Sequence, residues 1–284
     1  MANPGDPAEV SQLARLLFDE AAQRWYLGIA LEAVVGLVAI GVVVIGLSGD
    51  LAIATSAVLL IILGAGYAAR LWAESANDIA ETMRRQAAVS EGLGWPIERL
   101  QLAEWRRKAG KKLRFRLARR PRDSDFYSST AAPGPRRMAE QTAESAFFTR
   151  HMQLWLRSWL VRGLLVLVTL LVLAMYMSLS RVVPDDVDAV VAQVVFLVVP
   201  LAVSLNAVGW VLHLSRTSSA IQDVEATLER LLRQEPIRED FVLRSLAEYD
   251  CQLAKSLPMH PAFFRWKHDE LSELWDPPGA STVA

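Results

Sequence analysis

The chain is poor in the residues that mark disulfide-bound, metal-binding and motif-bearing catalytic proteins. It has one cysteine, Cys251, in 284 residues. That excludes a disulfide framework and any cysteine-based zinc site. Its four histidines (His151, His213, His260 and His268) are not paired at metal-ligand spacing, so no metal is expected. No P-loop, dinucleotide fingerprint, zinc-protease helix or nucleophile elbow occurs. No catalytic residue and no cofactor are therefore expected, and the chain does not read as an enzyme. Charge of one sign is lacking too. Lys and Arg number 30, Asp and Glu 31, for a net charge of −1, which gives no global attraction to nucleic acid.

Apolar residues are abundant, at 52% with a mean hydropathy of +0.24, and their placement is more telling than their number. Four stretches approach or exceed the roughly 20 residues a helix needs to cross a bilayer. They are Leu27 to Leu47, Leu51 to Tyr67, Gly163 to Leu179 and Val187 to Leu214. Glu32 is the one charge in the first, and Asp188 the one in the fourth. Core helices of a soluble bundle keep a polar face; these do not. Ser48-Gly49-Asp50 joins the first pair and Arg181 to Asp186 the second, both too short to hold a domain.

The expected fold is an all-α membrane protein with four transmembrane helices in two hairpins. Its insert is mainly helical and cytosolic, and its C-terminal segment is helical. The boundaries read as an amphipathic helix over 1–25, a first hairpin over 26–73 and a basic insert over 74–159. A second hairpin covers 160–214, helices 215–276 and a flexible tail 277–284. The insert carries seventeen Lys and Arg, whereas the two short loops carry only Arg181. The positive-inside rule then places both termini and the insert in the cytoplasm, at a bacterial inner membrane. The first 25 residues carry Asp6, Glu9, Asp19 and Glu20, unlike the basic start of a signal peptide.

Periodicity predicts the remaining elements. Val10, Leu13, Leu16 and Leu17 mark a helix that either runs into the first span or lies on the membrane surface. The second span continues as a helix to about Ser90, stopped by Gly92 and Gly94. A new helix starts near Pro96 and ends at Gly110. Lys111 to Arg120 (KKLRFRLARR) alternates apolar and basic residues and reads as a short strand or an interfacial segment. A helix from about Arg136 leads into the third span, where Trp155 and Trp159 suit an aromatic belt. Further helices cover about 238–256 and Phe263 to Trp275.

Several residues invite a functional reading beside a structural one. An intramembrane carboxylate such as Glu32 is costly; it lines a pore, pairs with Arg162, or snorkels. Arg70 reads as a snorkelling end residue. Gln193, Pro200, Ser204 and Asn206 form either a pore-facing, hinged stripe or interhelical contacts. Gly64 with Ala68, and Ala65 with Ala69, allow close helix approach within or between subunits. The basic run from Arg106 to Arg122 contacts anionic lipid, sets topology alone, or receives a phosphorylated ligand.

The layout resembles the SMODS-associating four-transmembrane effector family of bacterial antiphage systems. Two patches carry the resemblance. One is RDSDFYSS, from Arg122 to Ser129, with Asp123, Asp125, Tyr127 and Ser128. The other is LRSLAEYDCQLAKSLPMHPAFFRW, from Leu243 to Trp266, with Tyr249, Pro258, Pro261, Phe264 and Trp266. The resemblance implies a membrane effector, oligomeric and gated by a cyclic di- or oligonucleotide. A cyclic-nucleotide synthase encoded in the same operon would make that signal. Arg114, Arg116, Arg119, Arg120, Asp125, Tyr127 and Ser128 would then contact the ligand, and Glu32, Gln193, Pro200 and Asn206 the pore or gate. Two alternatives remain: a constitutive channel or small transporter, and a membrane scaffold that recruits a cytosolic partner.

Overall fold

A computed structural model describes residues 6–45, 50–119, 127–179, 207–254, 256 and 261–275. Among them the chain is entirely helical, with seven helices and no strand. In chain order these are α1 (Pro7–Ile45), α2 (Asp50–Leu93), α3 (Arg99–Arg119), α4 (Pro135–Leu179), α5 (Ala207–Leu232), α6 (Glu239–Leu253) and α7 (Pro261–Leu274). By internal contacts the chain divides into two units. The first comprises Met1–Gln23, Ala73–Leu154 and Leu214–Ala284; the second comprises Arg24–Trp72 and Trp155–His213.

Local chemistry explains the helix ends. Asp6 caps α1, accepting from the Ala8 backbone N–H at 3.0 Å, with Pro7 in the first-turn position that needs no donor. Gly94 closes α2. Its φ of +77° is the left-handed value that favours glycine, and its N–H donates to the Ser90 carbonyl at 3.0 Å.

The first unit has two cores. In one, Val10, Leu13, Leu16 and Leu17 of α1 meet Ala80, Met83 and Ala87 of α2 and Leu102, Trp105, Ala109 and Leu113 of α3. Those α1 residues are at most 4% exposed. The helix therefore spends its apolar face on protein and does not lie on a membrane surface. Arg106 ties α3 to α1, its Nη2 2.5 Å from Glu9 Oε1. In the other core, Ala88 of α2 meets Met138, Ala139, Ala143 and Ala146 of α4. Ile221, Val224 and Leu228 of α5 and Val242, Leu246 and Tyr249 of α6 complete it.

The Lys111–Arg119 segment corrects the expected strand: it is helical, as the second half of α3. Gly110, at φ +75°, kinks the helix without ending it. The alternating pattern is misleading because Leu113 and Leu117, four apart, face the core on one side. Phe115 points outward, 58% exposed.

In the second unit, α1 and α2 approach closely where Gly28 meets Gly66. A Cβ on Gly28 would lie 2.6 Å from Arg70 Cγ and 2.8 Å from the Gly66 carbonyl oxygen. Gly64 has nothing within 4 Å of the equivalent position, so the pair expected at Gly64 and Ala68 does not make this contact. Arg24 stacks on the Trp72 ring at 3.1 Å, and Trp25 lies 5.5 Å from Trp210. The α2 segment from Ile53 is long and apolar enough to cross a membrane. Leu27, Leu37, Ile53, Ile61, Leu165 and Val172 all point outward, each more than half exposed.

Candidate functional site

The densest polar constellation lies in the first unit, where α2, α4 and α6 meet the turn after residue 126. One turn of α2 presents Glu81, Arg84 and Arg85. Arg84 donates from Nε to Glu81 at 3.0 Å and from Nη2 to Asp250 Oδ1 of α6 at 2.5 Å. Arg85 Nε stands 2.7 Å from Asp250 Oδ2. Asp250, only 3% exposed, thus bridges two adjacent guanidinium groups. Burial works against the charge on Arg84. The Glu81 carboxylate, then Tyr249 and Asp250, outweigh that and hold it charged. Burial also raises the Glu81 carboxyl above its ordinary value, against the opposing pull of Arg84.

Tyr249 faces the same place from the next position of α6. Its hydroxyl donates to the Ser145 carbonyl at 3.2 Å and lies 2.9 Å from Thr149 Oγ1. The Arg84 guanidinium sits 5.6 Å from its ring centre. Tyr127 enters from the turn, with its phenol in hydrogen-bonding contact with Ser145. Burial raises both phenols above their ordinary value.

Ser128 completes the turn. Its backbone N–H and its hydroxyl both donate to Glu144 Oε2, each at 2.9 Å. Trp275 Nε1 donates to the Ser128 hydroxyl oxygen at 3.1 Å. The Trp275 ring packs 5.1 Å from Phe147, and His268 of α7 stacks on Phe148 at 5.7 Å. Burial raises the Glu144 carboxyl, opposed by the two Ser128 bonds and by His268.

A cavity of about 10 Å³ sits between these groups, lined in part by Arg84, Tyr127, Tyr249, Gln141 and Ser145. That is room for one water, and a nucleotide does not fit in this arrangement. Gln141 is 1% exposed, and neither of its amide atoms has a well-oriented hydrogen-bond partner.

The expected site residues fall into three groups. Tyr127 and Ser128 belong to this constellation. Arg114, Arg116 and Arg119 lie on α3, which packs in the other core; Arg114 Nε donates to the Gly110 carbonyl at 3.3 Å, and Arg119 stacks on Phe115 at 4.0 Å. Arg120, Asp125, Gln193, Pro200 and Asn206 lie outside the described residues, as do Asp123, Pro258 and Ser204. Glu32 pairs with Arg70, Oε1 to Nη2 at 3.1 Å. Its expected partner Arg162 sits 5.8 Å from the Trp159 ring centre. An acid and a base one and a half turns inside α1 and before the end of α2 face each other across the Gly28–Gly66 contact, so Arg70 is not merely a snorkelling end residue.

Sequence reasoning missed Glu81, Arg84, Asp250, Gln141 and Glu144. One signal was present. Asp250 follows Leu246 by four on the apolar face of α6, where a carboxylate must be buried and paired. Among the described residues no group of three or more His, Cys, Asp or Glu side chains is placed to hold a metal ion. No protein-family model, curated protein or solved structure matches this chain.

Proposed function

We propose that the chain is a membrane effector of a bacterial antiphage system, switched by a cyclic di- or oligonucleotide and acting by forming or opening a pore. In this reading it is not an enzyme. The second unit supplies four inner-membrane spans in two hairpins, and the first unit is the cytoplasmic receptor with both termini. A neighbouring synthase makes the ligand, and several copies of the chain assemble.

The observation that carries the reading is a convergence. The two sequence patches behind the resemblance are far apart in the chain, yet Tyr127 of one and Tyr249 of the other line the same cavity. The outward apolar side chains of α1, α2 and α4 support a bilayer around the second unit. Because the cavity now admits about one water, a nucleotide must bind a different arrangement of the Tyr127–Ser128 turn. Ligand then selects the arrangement in which the turn has left α4 and α6, which is the differential affinity that a switch requires.

The test is a titration of purified protein with a panel of cyclic di- and trinucleotides, read by tryptophan fluorescence. One nucleotide is expected to saturate. Tyr127→Phe and Ser128→Ala are each expected to change its affinity by about tenfold, the worth of one hydrogen bond. Saturation by none of them contradicts the ligand reading.

A further inference from the structure

The second half of α3 is built as a surface, and its chemistry is specific. Between Gly110 and Arg119 the sequence reads GKKLRFRLAR, with five cations and no carboxylate. Leu113, 2% exposed, anchors this half in the core, which fixes the opposite face outward. Lys111, Lys112, Arg114 and Arg119 are exposed on it. Phe115 stands among them, 58% exposed, with the Arg119 guanidinium 4.0 Å from its ring centre. Glu104, an acid of the preceding half, is taken by Lys108 at 2.9 Å. Like charges this dense on one helix repel each other, and the repulsion is relieved only by an external anion.

We propose that this face docks on anionic lipid headgroups. Three features favour a lipid surface over a free phosphate or a nucleic acid. The cations lie on a convex helix face, not in a cavity. An aromatic ring and long alkyl stems are interleaved with them, as in helices that sit at the headgroup boundary. The charge density matches that of polybasic segments beside anionic leaflets. The Gly110 kink gives the segment an orientation separate from the first half of α3. Arg114 and Arg119 are thereby assigned to lipid phosphate and not to the signalling ligand. This inference rests on the membrane part of the reading above and is independent of the ligand part.

The experiment uses the full chain carrying Cys251→Ser and Ala118→Cys, with an environment-sensitive fluorophore on Cys at that exposed position. It is reconstituted into vesicles of phosphatidylcholine alone or with phosphatidylglycerol, and insertion is checked by flotation after alkaline extraction. The expected result is a blue-shifted fluorophore, shielded from an aqueous quencher, only with phosphatidylglycerol. High salt reverses it. Lys111→Gln with Lys112→Gln lowers the shielded fraction by roughly tenfold or more, since each surface cation is worth roughly a factor of five. Phe115→Ala weakens shielding without changing its salt dependence. Inserted protein whose fluorophore is equally exposed in both vesicles overturns the inference while leaving the membrane reading intact. Shielding in neutral vesicles that appears only on adding RNA, or that grows with protein density, also overturns it in favour of nucleic acid or a second copy. Failure to insert at all overturns both.

Discussion

Arg84 and Asp250 lie 2.5 Å apart across 166 positions of sequence, and this contact ties α2 to α6. Asp250→Ala leaves Arg84 and Arg85 facing a largely dry interface. Removing one partner of a buried pair costs about 3–5 kcal/mol. Arg84 keeps Glu81, so the lower end, about 3 kcal/mol, is expected. Thermal unfolding of the detergent-solubilised protein measures it. A change within about 0.5 kcal/mol would mean that the pair does not hold the helices together.

Gly92 and Gly64 make a matched comparison on α2. A Cβ on Gly92 would lie 2.4 Å from Met138 Sδ and 3.1 Å from Met138 Cα. Gly92→Ala is expected to destabilise by about 1–3 kcal/mol through overpacking, despite alanine's better helix propensity. Gly64 has open space around it, so Gly64→Ala is expected to be neutral or to gain up to about 1 kcal/mol. Chemical denaturation of both variants, compared with the parent, reads the difference in sign.

Glu144 gives the first unit a pH dependence. Burial raises its carboxyl above the ordinary 4.5. The folded state therefore holds that proton more tightly than the unfolded chain. Its contribution to stability is greatest below about pH 4.5 and falls as pH rises through the raised folded value. Glu144→Gln keeps a neutral acceptor for the two Ser128 donors. The variant's Tm relative to the parent is expected to climb from pH 4.5 to pH 7. A flat or falling difference would contradict the assignment.

Glu32 and Arg70 form the acid–base pair inside the second unit. A double-mutant cycle with Glu32→Gln and Arg70→Met is expected to show a coupling of about 1 kcal/mol or more in thermal stability. Arg162→Ala should be additive with Glu32→Gln. Additivity at Arg70 instead would return Glu32 to solvent or to a pore.

Helix positions were legible from periodicity alone. The helix expected from about Arg136 begins at Pro135, and the one expected over about 238–256 runs Glu239–Leu253. Glycine signals were half informative. Gly94 ends α2 as left-handed residues do, but Gly110 only kinks α3, because Leu113 and Leu117 recover the helical face beyond it. The polar site was mostly illegible. Asp250, Arg84 and Gln141 gain their meaning from packing between α2, α4 and α6, and no local pattern encodes which distant partner neutralises a buried charge. Tyr127 and Ser128 were found because they sit in a recognisable patch. Glu144, which holds Ser128, sits in a helix that reads as an ordinary amphipathic one.

The central claim is that a nucleotide switches the membrane part. Leakage of ions and dye from vesicles containing the inserted full chain, with and without a panel of cyclic di- and trinucleotides, tests it most directly. Leakage that depends on one nucleotide, and that Tyr127→Phe shifts to higher ligand concentration, is the predicted result. Leakage that is the same with every nucleotide and with none, or no leakage from inserted protein under any condition, would contradict it.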